Sequence, residues 1–373
     1  MNITIIGTGP RGLSIALYAL YKNYRVTLID PNPLHTWTSD YLISDLEMRS
    51  PLSFDLVTHI EELQEFSLAN YLKLNYEFTS NQTIIESNKT KVTRKQFCSY
   101  LQWIYSYLQD KITIVKQTVV DVQNNKVYLD NNTTIESAAI VFCTGYQGKP
   151  NIPNWLANTN LLDKQIKLPT VLQDKNNYLN KKWLVVGSGQ GAAETVEYLC
   201  TLFSNVTWAV NKKAKVSQYP APIYSQWGSK SALGDYYKKL TNYKDKLDYL
   251  KKVKQWQPSI TPYISDKLKQ VSYQTLEVNS YNDISNLYVD YVVLAAGITP
   301  SVSSLPTSTV IPTNPYLPNF PNITANFKIN LPNCNWYVSG ILATAYDGPR
   351  QHSLISAGLT AKEIIEDINA SNI

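Results

Sequence analysis

Two stretches of the chain repeat the same pattern of hydrophobic and polar positions. Each begins with a short, largely apolar run, residues 3–6 in the first and 183–186 in the second. Each run leads into a glycine cluster and then into an amphipathic stretch. A short apolar run is typical of a parallel strand covered on both faces, and an amphipathic stretch of a surface helix. The pattern predicts two strand–turn–helix units built on parallel sheets.

The first glycine cluster has the spacing G-x-G-x-x-G, formed by Gly7, Gly9 and Gly12. In this arrangement the first glycine permits a tight turn and the second lets the backbone approach a pyrophosphate. The third lets the following helix, expected from about Pro10 to Tyr21, lie close to the strand. The next strand ends at Asp30, a carboxylate suited to the hydroxyls of an adenosine ribose. The combination predicts a dinucleotide site, because a glycine turn that only packs would not require the acid.

The second cluster has the related form G-x-G-x-x-A, with Gly187, Gly189 and Ala192. Its second strand ends at Asn211, followed by Lys212 and Lys213, where the first unit has an acid. Cations attract the 2′-phosphate of NADP(H), which a carboxylate would repel. The sequence therefore predicts FAD in the first unit and NADPH in the second, unless the two lysines only cap a turn at the surface.

The connection between the two units is indicated by a second repeated pattern. Residues 138–145 and 290–297 each form an apolar strand that ends in a glycine, where a chain can cross from one nucleotide domain to another. The predicted fold is α/β, with two Rossmann-like, three-layer dinucleotide-binding domains. The NADP domain, residues 152–298 with a small helical substrate segment at about 215–260, is inserted in an FAD domain of residues 1–151 and 299–373.

Composition and charge narrow the class of function. The net charge of +5 is spread thinly, and acids interleave the lysine-rich residues 236–255, as on a solvated helix face. We therefore expect neither a nucleic-acid nor a membrane partner. The four cysteines stand far apart, which argues against a disulfide framework, a zinc site or a redox dithiol. With no apolar run long enough for a bilayer and a first strand that starts at Asn2, we expect a cytoplasmic protein without a metal. Assembly into a homo-oligomer is left open.

The C-terminal region contains a predicted strand at residues 336–340, a loop and a helix from about Ser353. The N-terminus of such a helix can present backbone N–H groups to an anionic reduced flavin. His352, one of three histidines, lies in the loop. Its role as a flavin or substrate contact and a plain capping role both remain open.

With these motifs the chain resembles the two-dinucleotide flavoproteins, and among them the flavin-dependent N-hydroxylating monooxygenases, such as the lysine and ornithine N-hydroxylases. Residues 46–73 resemble the segment of that family that passes beside the flavin ring. Residues 92–108 resemble its Arg-x-x-Phe-x-x-Tyr-Leu-x-Trp helix, and residues 347–365 its final flavin-contacting loop and helix. The resemblance covers most of the chain.

The resemblance implies an FAD-dependent NADPH monooxygenase. In that family NADPH reduces the flavin, which takes up O2 as a C4a-hydroperoxide and hydroxylates a soft nucleophile of a small molecule, here an amine nitrogen. Two alternatives stay open at this level. An NADPH-dependent flavin reductase or oxidase, passing electrons to a quinone, a protein or O2, would need the same two glycine clusters. A non-catalytic FAD-binding redox sensor would need only the first.

The substrate is not assigned by the resemblance. The family carries an Asn-Glu pair after the NADP-binding strand, and this chain has Ser225, Gln226 and Trp227 in the nearest stretch. We expect the loops at about 35–60, 215–260 and 345–355 to contact the substrate.

The motifs and the resemblance together assign individual residues. Those expected at the FAD, or at the crossings beside it, are Gly7, Gly9, Pro10, Arg11, Gly12, Asp30, Trp37, Met48, Arg49, Val120, Thr144, Gly145, Gly297, Ser353 and Leu354. Those expected at NADPH are Gly187, Ser188, Gly189, Gln190, Lys212 and Lys213. Met48 and Arg49 are expected beside the isoalloxazine and, with His352, are the candidates for contact with the reacting atoms. Ordinary core packing remains an equal explanation for Trp37 and Met48.

Overall fold

The computed structural model describes residues 1–371, except 39–42, 44, 49, 51, 76–91, 146–147, 212–215, 217–236, 238, 241, 257–259 and 316. Several residues singled out from the sequence lie outside the described residues: Arg49, Lys212, Lys213, Ser225, Gln226 and Trp227.

The described strands are β1 (Asn2–Ile6), β2 (Arg25–Ile29), β3 (Thr113–Val115), β4 (Val119–Gln123), β5 (Lys126–Leu129), β6 (Thr134–Glu136), β7 (Ala139–Phe142), β8 (Gly148–Pro150), β9 (Lys182–Val186), β10 (Asn205–Val210), β11 (Gln274–Glu277), β12 (Tyr291–Leu294), β13 (Ile298–Pro300) and β14 (Trp336–Val338). The described α-helices are α1 (Pro10–Tyr21), α2 (Leu68–Asn75), α3 (Arg94–Gln109), α4 (Asn154–Ala157), α5 (Leu168–Gln173), α6 (Gln190–Leu202), α7 (Tyr243–Trp256), α8 (Pro262–Leu268), α9 (Thr344–Asp347) and α10 (Ser356–Ala370).

The first sheet has the strand order β14-β7-β1-β2-β3, and its paired strands are all parallel. Ile5 of β1 lies between Leu28 and Val141, and its side chain is fully buried. Helix α1 packs against both α10 and α3. Because the strands are parallel, their carboxyl ends meet at one edge of the sheet, and the first glycine cluster follows β1 at that edge.

The second sheet has the strand order β11-β10-β9-β12 and is also parallel throughout. Helix α6 contacts β9, β10 and α8. Trp183, fully buried in β9, stacks on Phe203 with the ring centroids 5.2 Å apart. The predicted fold class, α/β with two Rossmann-like units, is confirmed by these two parallel sheets.

A short antiparallel pair, β8 with β13, lies where the chain passes from one sheet to the other and back. Ile298 is paired with Pro150. Asn151 strengthens the crossing, because its N–H donates to the Gly297 carbonyl at 2.9 Å and its side-chain amide donates to the Ala296 carbonyl at 3.3 Å. Both passages of the chain therefore run through one small ribbon.

Two boundaries in the C-terminal region differ from those expected. The last strand ends at Val338, because Gly340 takes φ +88°, which turns the chain away from the sheet. The final helix begins at Ser356 and not at about Ser353. The preceding residues form a turn, with the Ser353 N–H donating to the Arg350 carbonyl at 3.0 Å.

Helix α3 begins with a capping box. The Thr93 hydroxyl accepts from the Gln96 N–H at 3.2 Å, and the Gln96 side chain accepts from the Thr93 N–H at 2.9 Å. This arrangement satisfies two N–H groups at the helix start and makes Arg94 the first residue of the helix. Among the described residues, no helix is both long and apolar enough to cross a membrane.

Candidate cofactor and active site

The first glycine cluster forms a close turn with one open position. A Cβ on Gly7 would lie 2.4 Å from the Cys143 carbonyl oxygen, and one on Gly12 would lie 1.9 Å from the Gly7 carbonyl oxygen. A Cβ on Gly9 would meet nothing within 4 Å. The contacts of the chain itself therefore require the first and third glycines. The second borders open space at the N-terminus of α1.

Asp30 lies at the carboxyl end of β2 and is tied to the glycine turn. Its Oδ2 accepts from the Thr8 N–H at 2.9 Å and from the Thr8 hydroxyl at 2.7 Å, and its Oδ1 accepts from the Asn32 N–H at 3.0 Å. A carboxylate has about four acceptor positions. These three bonds orient the group and leave one position on Oδ1 for a ribose hydroxyl.

The second glycine cluster repeats this geometry with a neutral acceptor. A Cβ on Gly187 would lie 2.4 Å from the Ala295 carbonyl oxygen, whereas one on Gly189 would meet nothing within 4 Å. The Ser188 hydroxyl donates to Asn211 Oδ1 at 2.8 Å, as the Thr8 hydroxyl does to Asp30. The described end of β10 therefore carries an amide where β2 carries a carboxylate.

Gln190, the first residue of α6, uses both ends of its amide within the protein. Its Nε2 donates to Glu194 at 2.8 Å, and its Oε1 accepts from the Thr261 N–H at 2.8 Å. This side chain was predicted as an NADPH contact, and the structure places it just behind the open position of Gly189.

Arg11 connects the first glycine cluster to the C-terminal loop. Its Nη2 donates to the carbonyls of Gln351 and Ser353, both at 2.9 Å, and to the Ser356 hydroxyl at 2.8 Å. This contact brings Ser353 and Leu354 to the edge of the first sheet that carries Gly7. The sequence predicted Arg11 as an FAD contact, and its guanidinium also holds the loop that was expected to touch the flavin.

A buried polar cluster within that loop was missed by the sequence reasoning. Asp347 is fully buried and receives two N–H groups of Arg350, with Nε–Oδ2 at 2.5 Å, and the Gln351 amide at 2.6 Å. Gln351 also donates to Thr360 at 3.0 Å, which joins the cluster to α10. The ion pair of Arg350 with Asp347 lies within the loop. The i,i+3 spacing of acid and arginine was the available signal.

The remaining predicted residues occupy several environments. Trp37 is half-buried with its ring 5.4 Å from Phe97, and the N–H of Met48 donates to the Val92 carbonyl at 2.7 Å. Val120 is 55% exposed on β4. The Thr144 nitrogen would lie 3.5 Å from a Cβ on Gly7, so the end of β7 borders the first glycine turn. Gly145 and Gly297 adopt φ +73° and +83°.

His352 lies within the C-terminal loop, and Tyr237 packs against that loop from a distant part of the chain. His352 is exposed, and its Nε2 lies 3.1 Å from the Thr344 hydroxyl. Tyr237 is fully buried, its hydroxyl donates to the Ala345 carbonyl at 3.2 Å, and its Cγ would lie 2.9 Å from a Cβ on Gly348. Burial and the charge of Asp347 raise the pKa of Tyr237, which is therefore a neutral donor. The 215–260 stretch thus reaches this loop through Tyr237.

Asp55 is a buried carboxyl group that organises the segment before α2. It accepts from the N–H groups of Leu68 at 2.8 Å and Val57 at 2.9 Å, and from the Thr58 hydroxyl at 3.1 Å. Leu68 is the first residue of α2, so the carboxyl group lies at the positive end of that helix. Burial nevertheless raises the pKa of Asp55 to about 6, against the opposing effect of these hydrogen bonds.

We expect Asp55 to make folding stability depend on pH. Its pKa in the folded chain lies above the value of about 3.9 for an unfolded aspartate, so its contribution is greatest below that value. The contribution is lost as pH rises to about 6, with a total change of about 3 kcal/mol. Urea unfolding of the wild type and of Asp55→Asn at pH 4 to 7.5 measures it. The variant carries no titrating group here, so identical pH slopes for the two proteins would contradict the prediction.

The described residues offer no activated thiol. Burial raises the pKa of Cys143 to about 12 and that of Cys98 and Cys200 to about 11, and it also raises the pKa of Cys334. Within the part of the chain that the structure describes, no group of three or more His, Cys, Asp or Glu side chains could hold a metal ion.

Solved structures of similar fold include an ornithine N-hydroxylase, a lysine monooxygenase and a cadaverine monooxygenase. The ornithine N-hydroxylase of Kutzneria sp. 744, solved with reduced FAD, NADP+ and L-ornithine, has a TM-score of 0.78 and is 16% identical, over 100% of this chain and 99% of that one. L-lysine 6-monooxygenase of Pseudomonas syringae has a TM-score of 0.74 at 19% identity, with 99% of each chain covered. The cadaverine monooxygenase of Erwinia amylovora, bound to FAD, has a TM-score of 0.73 at 16% identity, covering 99% of this chain and 94% of that one.

A curated plant protein matches a smaller part of the chain. Capsanthin/capsorubin synthase of Capsicum annuum is 24% identical over 157 residues, which are 39% of this chain and 28% of that protein. The chain therefore matches less than a third of the length of this curated relative.

A sequence profile of one family covers most of the chain. The profile of L-lysine 6-monooxygenase/L-ornithine 5-monooxygenase matches residues 1–288 and so includes both glycine clusters. The resemblance inferred from the motifs is confirmed by this match. The chain belongs to the L-lysine 6-monooxygenase/L-ornithine 5-monooxygenase family.

Proposed function

We propose that this protein is an NADPH- and O2-dependent FAD monooxygenase that hydroxylates the amine nitrogen of a small molecule. The observation that carries the proposal is the family match over residues 1–288. This range includes two complete glycine turns, one beside the carboxylate of Asp30 and the other beside the amide of Asn211. A flavin reductase or oxidase is the weaker alternative, because the family consists of monooxygenases.

We propose the following residues for FAD. Gly9 leaves room for the pyrophosphate at the N-terminus of α1, and the N–H groups of that first turn are the donors. Asp30, oriented by Thr8, accepts a ribose hydroxyl with its remaining acceptor position. Ser353 and Leu354 are brought to the same edge by Arg11 and supply the backbone beside the flavin. When bound, FAD supplies the electron transfer and the oxygen activation of the reaction.

The domain boundaries are part of the proposal. Residues 1–151 and 299–373 would form the FAD domain, with residues 152–298 as the NADP domain. The β8–β13 ribbon supports this division, because its strands lie at 148–150 and 298–300 and carry the chain between the two sheets.

Besides binding the cofactors, the protein must exclude water from the site of the reaction and hold the surrounding loops in place. The Asp347 cluster stabilises the C-terminal loop from within, and the buried Tyr237 packs against the loop. In this proposal Asp347 and Tyr237 have a structural role and transfer no proton in the reaction.

Mixing the FAD-loaded protein with a nucleotide and then with O2 tests the proposal. We expect NADPH to bleach the flavin absorbance under anaerobic conditions much faster than NADH does. After oxygen is added, ornithine, lysine and cadaverine serve as candidate substrates, and we expect one of them or a related amine to gain one oxygen atom by mass spectrometry. Fast reoxidation with hydrogen peroxide as the only product, whichever amine is added, would favour the reductase or oxidase. No bleaching by either nucleotide would contradict the enzyme proposal.

Asn211→Asp is expected to shift the nucleotide preference from NADPH towards NADH. The aspartate is nearly isosteric and can still accept from Ser188, but it places a negative charge where the 2′-phosphate of NADPH would lie. We expect the KM for NADPH to rise at least about tenfold, while that for NADH falls or stays constant. Asn211→Ala is the control, since it removes the Ser188 contact without adding charge. Equal KM changes for both nucleotides would contradict this assignment.

A further inference from the structure

Helix α6 carries two buried carboxylates that have different partners. Glu197 pairs with Lys267 of α8, a helix next to α6 in the same unit, at 3.4 Å. Glu194 pairs with Arg94 of α3, a helix next to α1 in the other unit, at 2.5 Å. The side chains of Arg94 and Glu194 are 18% and 7% exposed. Glu197 and Glu194 are thus about one helix turn apart, but the first forms an ion pair within the second unit and the other forms an ion pair with the first unit.

Glu194 is also hydrogen-bonded to the residue that follows the second glycine turn. Its other oxygen accepts from the Gln190 amide at 2.8 Å, and Gln190 directly follows Gly189. Gln190 is held at its other end by Thr261, which caps the N-terminus of α8. Two hydrogen bonds, through Glu194, therefore connect the guanidinium of Arg94 to Gln190, the residue next to Gly189.

Apolar contacts accompany the Arg94–Glu194 ion pair where the start of α3 meets α6. The Arg94 N–H donates to the Leu46 carbonyl at 2.8 Å. Leu46 and Ile43 are buried in the hydrophobic cluster of the second unit, together with Val196 of α6. The start of α3 and the segment beside it thus contact α6 through both polar and apolar groups. The capping box at Thr93 gives that start a defined geometry.

We infer that Arg94 is a positioning residue for NADPH: through Glu194 and Gln190 it sets the second glycine turn relative to the FAD unit. This inference rests on the proposed function, because it assumes that the turn binds the nucleotide. The alternative is that the ion pair only contributes to stability, as expected for Lys267 with Glu197. Loss of one partner from a buried pair is destabilising in either case, so stability alone cannot separate the two roles.

The test compares Arg94→Gln and Glu194→Gln with Glu197→Gln as the matched control on the same helix. We expect the first two to raise the Kd for NADP+, measured by calorimetry, and the KM for NADPH about tenfold, which corresponds to about 1.4 kcal/mol. FAD content should be unchanged. We expect Glu197→Gln to lose comparable stability in urea while both constants stay within about twofold of wild type. Arg94→Lys keeps the charge and should restore most of the affinity.

Hydrogen–deuterium exchange of the FAD-free protein provides a readout that does not depend on activity. We expect faster exchange at residues 187–194 in Arg94→Gln and Glu194→Gln, with no change in Glu197→Gln. Changes in exchange and nucleotide affinity that simply follow the stability loss in all three variants would overturn the inference. If Arg94→Gln fails to fold, Glu194→Gln decides, because the Arg94 side chain is 18% exposed and water can reach it there. A wild type that NADPH does not reduce would contradict the proposed function, and the exchange comparison would still decide the role of Arg94.

Discussion

Gly12→Ala is expected to destabilise the first unit by more than about 3 kcal/mol, because the added methyl would lie 1.9 Å from the Gly7 carbonyl oxygen. The methyl is attached directly to the backbone of α1 and the oxygen belongs to the backbone of the turn, so no side-chain rotation relieves the contact. The third atom near the methyl is Cβ of Cys143 at 3.6 Å, which closes the other side. We expect low soluble yield, or a clearly lowered urea midpoint, for the FAD-free chain.

Gly9→Ala is the matched control in the same turn and should behave in the opposite way. Gly9 has φ −66° and ψ 178°, which any residue adopts, and its added methyl would meet no protein atom within 4 Å. We expect the variant to fold with the stability of the wild type and to retain little FAD after purification, because the methyl would occupy space that the pyrophosphate needs. Normal FAD content in Gly9→Ala, or normal stability in Gly12→Ala, would contradict the assignment of these two positions.

The second large effect is expected at Asp347. Its replacement by alanine leaves the buried Arg350 guanidinium and the Gln351 amide without their shared acceptor. Removal of one partner from a buried ion pair typically costs about 3–5 kcal/mol. We expect a loss of that size in urea unfolding, with weaker FAD retention because the loop that carries Ser353 is released.

A double variant separates the lost charge pairing from the lost packing. In Asp347→Leu/Arg350→Met both charges are gone, and apolar groups of similar size replace them. Such replacements are often nearly neutral, so we expect the double variant to be more stable than Asp347→Ala. A single variant that loses less than about 1 kcal/mol would show that water or rearranged neighbours satisfy Arg350.

The sequence predicted the geometry of the two glycine turns well, because that geometry depends on residues close together in the chain. A strand, a turn and a helix within about a dozen residues must meet at one point, and only glycine fits where the helix touches the turn. Gly7 and Gly12 follow from this requirement. The position of Asp30 could also be predicted from the sequence, since it directly follows the next strand of the same parallel sheet.

The prediction was less complete for side chains with several potential partners. Arg11 follows the second glycine and was therefore assigned to the cofactor. In the structure its Nη2 reaches the carbonyls of Gln351 and Ser353. Those atoms are more than three hundred positions away along the chain, so no local pattern could reveal them. Asp347 was missed for a related reason, because its burial depends on α10 and Tyr237 covering the loop.

The sequence by itself determined the fold class, the two nucleotide-binding units and the family, because each depends on short-range spacing and on which faces must be buried. The tertiary structure alone decided which distant side chains meet. The Arg94–Glu194 contact joins residues 100 positions apart in the two units, and within the first unit the C-terminal loop is held to the first glycine turn by Arg11. Such contacts form only when distant parts of the chain pack together, and that packing depends on complementary surfaces that no stretch of the chain contains on its own.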